Sequence, residues 1–447
     1  MSDLRARTKA FYNVLDLHRP INFGQTELIA ADRAQPEDFY VSDLHGVGGV
    51  DPVVELADQI DLSDSAGAYL FTGNQGTGKT SELLRLARRL RENGCEVFYI
   101  DMVEYLNLSQ RIEVTDFLIS VLGALSEKIR DRFAVDVGKA GFFQRVLTFL
   151  KSEVEFKEVS IPTGPAELKA AIHQSPHFKE ELQRRTRGHV QTLAAKANEF
   201  ALEVVDLVRQ HRGAPDMKVV LIVDSVERLH GVGDSKDVLE VFKSTETLFA
   251  SHADVLRLPG LNVVYTIPPY LQALAGALGS RYAGGRIYAL PSVHVYECCP
   301  EPEAMPSPSS DGIHKMISVI DRRFPGHAEF FVEGQLERLA RNSGGDLRDF
   351  FRMVRLAITQ ALSRGVPLDE GTIEHAEDAV RRDMLPITTN AREWLKRIAA
   401  THEPDLPDLD ALPEFARLQQ GKYVLQYRNG EDWHAVHPLL WEELGLA

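Results

Sequence analysis

The chain has 447 residues, 44% hydrophobic and 26% charged, with 50 Lys and Arg against 65 Asp and Glu, a formal charge of −15. That length accommodates two or three domains, and the composition is that of an ordinary water-soluble globular protein. The negative charge on average repels nucleic acid and acidic membranes, so any DNA contact needs a local basic patch. No apolar run reaches membrane-spanning length, the opening MSDLRARTKAFYN lacks a signal peptide's apolar core, and a bacterial-type cytoplasm is the expected location. Cys95, Cys298 and Cys299 cannot build a disulfide framework. His434 and His437 lack a third ligand and read as structural residues rather than a zinc site.

In chain order, a mixed helical and loop segment leads to GVGGVDPVVELADQI, Gly46 to Ile60, where Val53, Leu56 and Ile60 share a helical face behind an Asp51-Pro52 start. Ala68-Tyr69-Leu70-Phe71 reads as a buried strand. The stretch FTGNQGTGKTSELLRLARRL comes next, in which Gly73, Gly78, Lys79 and Thr80 fit G-x-x-x-x-G-K-[ST] and Leu83, Ala87 and Leu90 recur at helical spacing up to a stop at Asn93-Gly94. Glu96 to Asp101 is a second strand, and a helical region runs from about Ile112 to Arg212, punctuated by Pro162, Pro165 and Pro176. Val219 to Asp224 and Leu261 to Ile267 are further strands, and Ile287 to Leu290 or Val293 to Tyr296 supplies a fifth. Strands alternating with helices imply an α/β fold with a parallel sheet covered on both faces.

CCPEPEAMPSPSSDG, Cys298 to Gly312, has linker composition, and residues from there to about Met384 read as helices only. The last sixty residues hold a helix around Ala391 to Ala400, a short helix near Leu412 to Gln419, and two strands joined by Asn429-Gly430, the shape of a winged helix. The expected domains are therefore an α/β core with an N-terminal segment and a helical insert over 1–300, a helical lid over 301–384 and a winged helix over 385–447.

Strand, glycine turn and helix stand in the order that phosphate binding needs. Glycines let backbone N–H groups curl around phosphate oxygens, and the helix N-terminus adds partial positive charge. The expected nucleotide cradle is Gly73, Asn74, Gln75, Gly76, Thr77, Gly78, Lys79, Thr80 and Ser81, with Lys79 reaching the β and γ phosphates of ATP and Thr80 placing its hydroxyl on Mg²⁺. Asp224 ends an apolar strand at the sheet edge where open α/β folds bind ligands, and is the second candidate for Mg²⁺. Ser225 stands after it where many ATPases carry a glutamate, so Glu227 becomes the candidate base and turnover is expected to be slow. Thr266, ending the next strand, is a candidate γ-phosphate sensor. Arg281, after the apolar helical run PPYLQALAGALGS, is a candidate arginine finger, with Arg286 its rival. Arg348, in NSGGDLRD, is placed to swing from the helical lid over the phosphates.

Together a metal aspartate, a sensor polar residue, a finger arginine and GGDLR in a helical lid resemble the AAA+ and STAND branches of the P-loop ATPases, and a closer likeness is to bacterial stand-alone ATP-binding proteins sharing GTGKTSELLRLA, LIVDSVERL, GGDLRDF and the ending YRNGEDWHAVHPL. Lid and winged helix are similar to the origin-recognition and helicase-loader group. The resemblance implies a P-loop sheet of AAA+ (ASCE) type, an adenine lined by the segment before the first strand, and an ATP-gated switch that assembles with itself or a protein effector. Members of this wider class often regulate an effector, including in bacterial antiphage defence. Two other readings compete. A DNA-binding initiator or loader would use the winged helix, but Thr401 to Ala447 holds nine acids against three bases, which favours a protein partner. A nucleotide-gated scaffold without turnover is the third, kept open by Ser225.

Overall fold

A computed structural model describes residues 2–446 apart from 17, 47–50, 138–140, 155–159, 230–234, 275–277, 299–304 and 407–410. Cys299, much of the linker from Cys298 to Gly312 and the glycine run after Gly46 therefore lie outside the described residues. The chain divides into two compact units. One comprises Val53–Thr72 and Arg85–Tyr288; the other comprises Met1–Pro52, Gly73–Leu84 and Ala289–Ala447.

The first unit is built on the predicted apolar runs. β1 (Ala68–Gly73), β2 (Glu96–Asp101), β3 (Val219–Asp224), β4 (Leu261–Thr266) and β5 (Ile287–Leu290) form one five-stranded sheet in the order β2-β3-β4-β1-β5. The β2/β3, β3/β4 and β1/β4 pairs are parallel, so the fold is the expected parallel-sheet α/β class. β1, β3 and β4 are buried along their whole length, as strands covered on both faces must be. Each buried Val, Leu or Ile there contributes roughly 1.5–3 kcal/mol over an exposed one. Of the two candidates for the fifth strand, Ile287–Leu290 takes the place beside β1.

α2 (Pro52–Leu62) precedes β1, and α3 (Lys79–Glu92) comes after it, ending at Gly94 with φ +84°. Between β2 and β3 run α4 (Val114–Phe133), α5 (Phe142–Glu153), α6 (Pro165–Gln174), α7 (Pro176–Thr186) and α8 (Val190–Arg212), so the predicted helical region is a crossover between neighbouring parallel strands. Prolines open α6 and α7, at helix positions that need no N–H donor. α9 (Ser235–Glu246) leads into a π-helical turn at Thr247–Ser251. PPYLQALAGALGS, predicted from its periodicity as a helical run, falls in part outside the described residues. Its described residues make 3₁₀ turns at Pro269–Leu274 and Gly279–Arg281, because Pro268-Pro269 removes two donors and the glycines further on weaken helical backbone.

In the other unit α1 (Ser2–Val14) contributes Phe11, stacked on Phe324 at 4.4 Å. A two-residue ribbon, β6 (Tyr296–Glu297) with β7 (Ser307–Pro308), precedes and enters the stretch read as a linker. Then come α10 (Ser310–Arg323), α11 (Gln335–Asn342), α12 (Leu347–Arg364), α13 (Glu370–Arg382), α14 (Thr389–Thr401) and α15 (Leu412–Gln420). The hairpin β8 (Val424–Asn429) with β9 (Glu431–Val436) and the short α16 (Trp441–Leu444) close the chain. Asn429 stays paired with Glu431, and Gly430 alone of the Asn-Gly pair takes a positive φ, +97°. Among the described residues, no helix is long and apolar enough to cross a membrane and no group of three His, Cys, Asp or Glu is placed to hold a metal.

Candidate nucleotide site

The glycine loop between β1 and α3 belongs to the unit that holds the C-terminal part of the chain. Gly76 and Gly78 take φ of +99° and +89°, in the left-handed region that turns successive amides to one side. Lys79 begins α3, is 6% exposed, and donates from Nζ to the carbonyls of Gly73 at 2.8 Å and Asn74 at 2.9 Å. Positive charge is unfavourable at a helix N-terminus, and these two carbonyl contacts offset part of that cost. Asn74 is 3% exposed, yet neither its Oδ1 nor its Nδ2 has a hydrogen-bond partner. A buried amide left unpaired costs about 1–3 kcal/mol, and a phosphate oxygen beside the loop would satisfy its donor. Thr77 Oγ1 donates to the Asn74 carbonyl at 2.9 Å, fixing the turn. Ser81 Oγ accepts from the Ile21 amide at 3.0 Å, so this hydroxyl anchors the N-terminal segment.

Asp224, Glu227 and Thr266 are brought together at the C-terminal edge of the sheet. Asp224 is fully buried; its Oδ2 accepts from the Tyr99 hydroxyl at 2.6 Å and its Oδ1 from the Ser225 amide at 2.7 Å. Burial first, then the neighbouring Glu227 charge, push the Asp224 carboxyl up to about 6. The Tyr99 hydroxyl is held well above its ordinary range by burial and by Asp224. Asp101 ends β2 opposite Asp224 in the strand register. Ser225 takes φ +69°, left-handed for a residue that is not glycine, and Glu227 lies on the adjoining 3₁₀ turn, Val226–Arg228. The Thr266 hydroxyl accepts from the Val226 amide at 3.0 Å and lies 3.3 Å from the Val223 carbonyl. It therefore ties β4 to the turn that carries Glu227.

Arg348 lies in the first turn of α12 and is half-buried, with an Nε that has no partner. The glycines before it serve a close approach. Gly344, φ +60°, lies where a Cβ would collide with Leu425 of β8, and its carbonyl accepts from the Tyr427 hydroxyl at 2.6 Å. Gly345, φ +74°, faces the Val293 carbonyl, and its own carbonyl accepts from the Val293 amide at 3.0 Å. Gly345→Ala is expected to destabilise the protein by about 3 kcal/mol, combining left-handed strain with a backbone clash. The urea unfolding midpoint measures it.

Arg281 is exposed on its 3₁₀ turn and donates to the Ala250 carbonyl of the π-helical turn at 2.7 Å. Arg286 pairs with Glu55 at 2.8 Å and lies over the Tyr288 ring. Among the residues not singled out from sequence are Tyr99, Asp101, Asp346 and Lys422. Asp101 carries a partial sequence signal, two apolar strands that both end in Asp, which gains meaning once β2 is known to lie beside β3. Asp346 and Lys422 are 76 positions apart and carry none.

No family model matches the chain, and no curated protein matches it. Solved structures similar to it include a Walker-type ATPase of Pyrococcus abyssi, 15% identical, covering 97% of this chain and 99% of that one with a TM-score of 0.42. Cdc6p from Pyrobaculum aerophilum is 14% identical over 92% and 96%, with a TM-score of 0.35. A variant of Thermotoga maritima RuvB is 13% identical over 89% and 95%, with a TM-score of 0.36.

Proposed function

We propose that this chain is an ATP-binding switch of the AAA+/STAND kind that hydrolyses ATP slowly and assembles with itself or a protein effector. The observation that carries the reading is the loop before Lys79, whose two left-handed glycines, helix N-terminus, inward lysine and orphaned Asn74 amide support an anion site. Gly73 to Ser81 would hold the phosphates of ATP, Thr80 and Asp224 are each candidates to hold Mg²⁺, and Arg348 would link the phosphates to α12. Mg²⁺ held there would supply neutralisation of phosphate charge. Thr266 fixes the turn after Asp224, and Glu227 on that turn accepts the proton of the attacking water as ADP and inorganic phosphate form. Arg281 offers a guanidinium to a neighbouring copy's nucleotide, which would require it to leave Ala250. The acidic C-terminal segment, as a winged helix, favours a protein partner over DNA. A place in antiphage defence rests on the family resemblance alone.

Calorimetric titration of the purified protein with ATP, with and without Mg²⁺, tests the reading; a folded protein that binds no ATP at millimolar concentration overturns it. Ser225 sustains the alternative of a scaffold without turnover, since its left-handed backbone stands where many ATPases carry glutamate. Glu227→Gln separates the two. ATP affinity should stay within about twofold while phosphate release falls about 100-fold or more, the size of effect expected for a lost general base. Unchanged release would remove Glu227 from the chemistry.

A further inference from the structure

Asp346 caps α12, its Oδ1 accepting from the Asp349 amide at 2.8 Å. The same carboxylate lies directly against the glycine loop, where a Cβ on Gly76 would collide with it and approach its Cγ to 2.7 Å. Only glycine leaves room. The side chain is 1% exposed, and Oδ2 has no hydrogen-bond partner. A buried anion of the protein's own thus rests on the loop that is shaped for phosphate.

Lys422 offsets it. Its ammonium reaches Asp346 Oδ1 at 2.8 Å and Asp349 Oδ1 at 2.9 Å, and His437 Nε2 stands 3.7 Å from Asp349 Oδ2. Both basic groups come from the C-terminal hairpin segment. Lys422 lies just past the end of α15 in a left-handed conformation, φ +61°, at a helix terminus where glycine is the usual occupant. Strain of that kind persists where the side chain is needed. Burial and the Asp349 charge raise the Asp346 carboxyl against the pull of Lys422. At Asp349 burial is outweighed by His437 and Lys422 together, which hold its carboxyl well below the ordinary range.

We infer that the C-terminal hairpin segment sets the nucleotide affinity of the loop, with Lys422 neutralising the Asp346 carboxylate that presses on Gly76. This rests on the proposal that the loop binds ATP. Phosphate charge and the Asp346 charge repel each other, so each added phosphate raises the demand on Lys422, and by linkage phosphate binding alters how firmly the hairpin segment is held.

The test compares ATP and AMP affinities of wild type, Asp346→Asn, Lys422→Met and the double variant. Asparagine caps helices as well as aspartate does, so Asp346→Asn keeps the fold. It should tighten ATP binding about tenfold with little effect on AMP, because like-charge repulsion scales with phosphate number. Lys422→Met should weaken ATP binding about tenfold, and the double variant should return to within about threefold of wild type, since the two residues act as one unit. An ATP to AMP affinity ratio that Asp346→Asn leaves unchanged overturns the inference while leaving the nucleotide site standing. Wild type that binds neither nucleotide overturns the site itself.

Discussion

Lys79→Ala abolishes ATP binding, lowering affinity by at least about 100-fold, or roughly 2.7 kcal/mol, while thermal stability changes little. The lysine donates to two loop carbonyls, and losing a charge-assisted hydrogen bond costs about 1.5–3 kcal/mol. Against that, a buried ammonium at the start of α3 opposes the helix dipole, by typically 0.3–1 kcal/mol and up to about 2 when partly buried, and its desolvation is relieved on removal. The two effects offset each other in the empty protein. With a triphosphate present the balance shifts, because the ammonium then meets several negative charges at once. Equilibrium binding of a fluorescent ATP analogue, together with an unfolding curve, separates a lost ligand from a lost fold. Normal ATP affinity in Lys79→Ala would show that the loop is not the nucleotide site.

Asp224→Asn makes the nucleotide-free protein more stable at neutral pH, by about 1–3 kcal/mol, and removes the Mg²⁺ dependence of ATP binding. The stability gain follows from linkage. The carboxyl rises from 3.8 in the unfolded chain to about 6 in the folded one. Stability from the protonated form is complete below 3.8 and is lost as pH climbs through about 6. At pH 7 the wild-type carboxylate is ionised in a place that disfavours it, and a pKa difference of about two corresponds to roughly 3 kcal/mol at most. Asparagine keeps the hydrogen bond from the Ser225 amide without the charge. Melting temperatures of wild type and variant should coincide near pH 4 and separate by pH 6.5. The same titration makes the wild-type affinity for Mg·ATP fall below pH 6, since a protonated carboxyl does not hold the ion. Equal melting temperatures at pH 7 would contradict the burial cost assigned to Asp224.

The glycine loop, the strand ends and the hairpin are legible in the sequence because each is written in a few adjacent residues. GNQGTGK carries its own turn chemistry, VVLIVD its burial on both faces, and YRNGED its reversal. The 3₁₀ turns after Pro268 are not legible, because helical periodicity in an apolar run does not register the lost donors. The β6–β7 ribbon is legible only at Tyr296, where the run from Val293 ends, because two paired residues leave no period to detect. Tyr99 and Asp101 require knowing that β2 lies beside β3. GGDLR points to Arg348, and the reasons for its glycines, Leu425 and the Val293 carbonyl, belong to segments remote in sequence. Tertiary contact, rather than local propensity, decides such positions.

Ser225 bears on what shapes the chain here. Its backbone is left-handed, and the serine Cβ already carries the cost of that conformation, about 1–2 kcal/mol. The bend after Asp224 is therefore imposed by its surroundings, since the residue that occupies it would by itself choose another backbone.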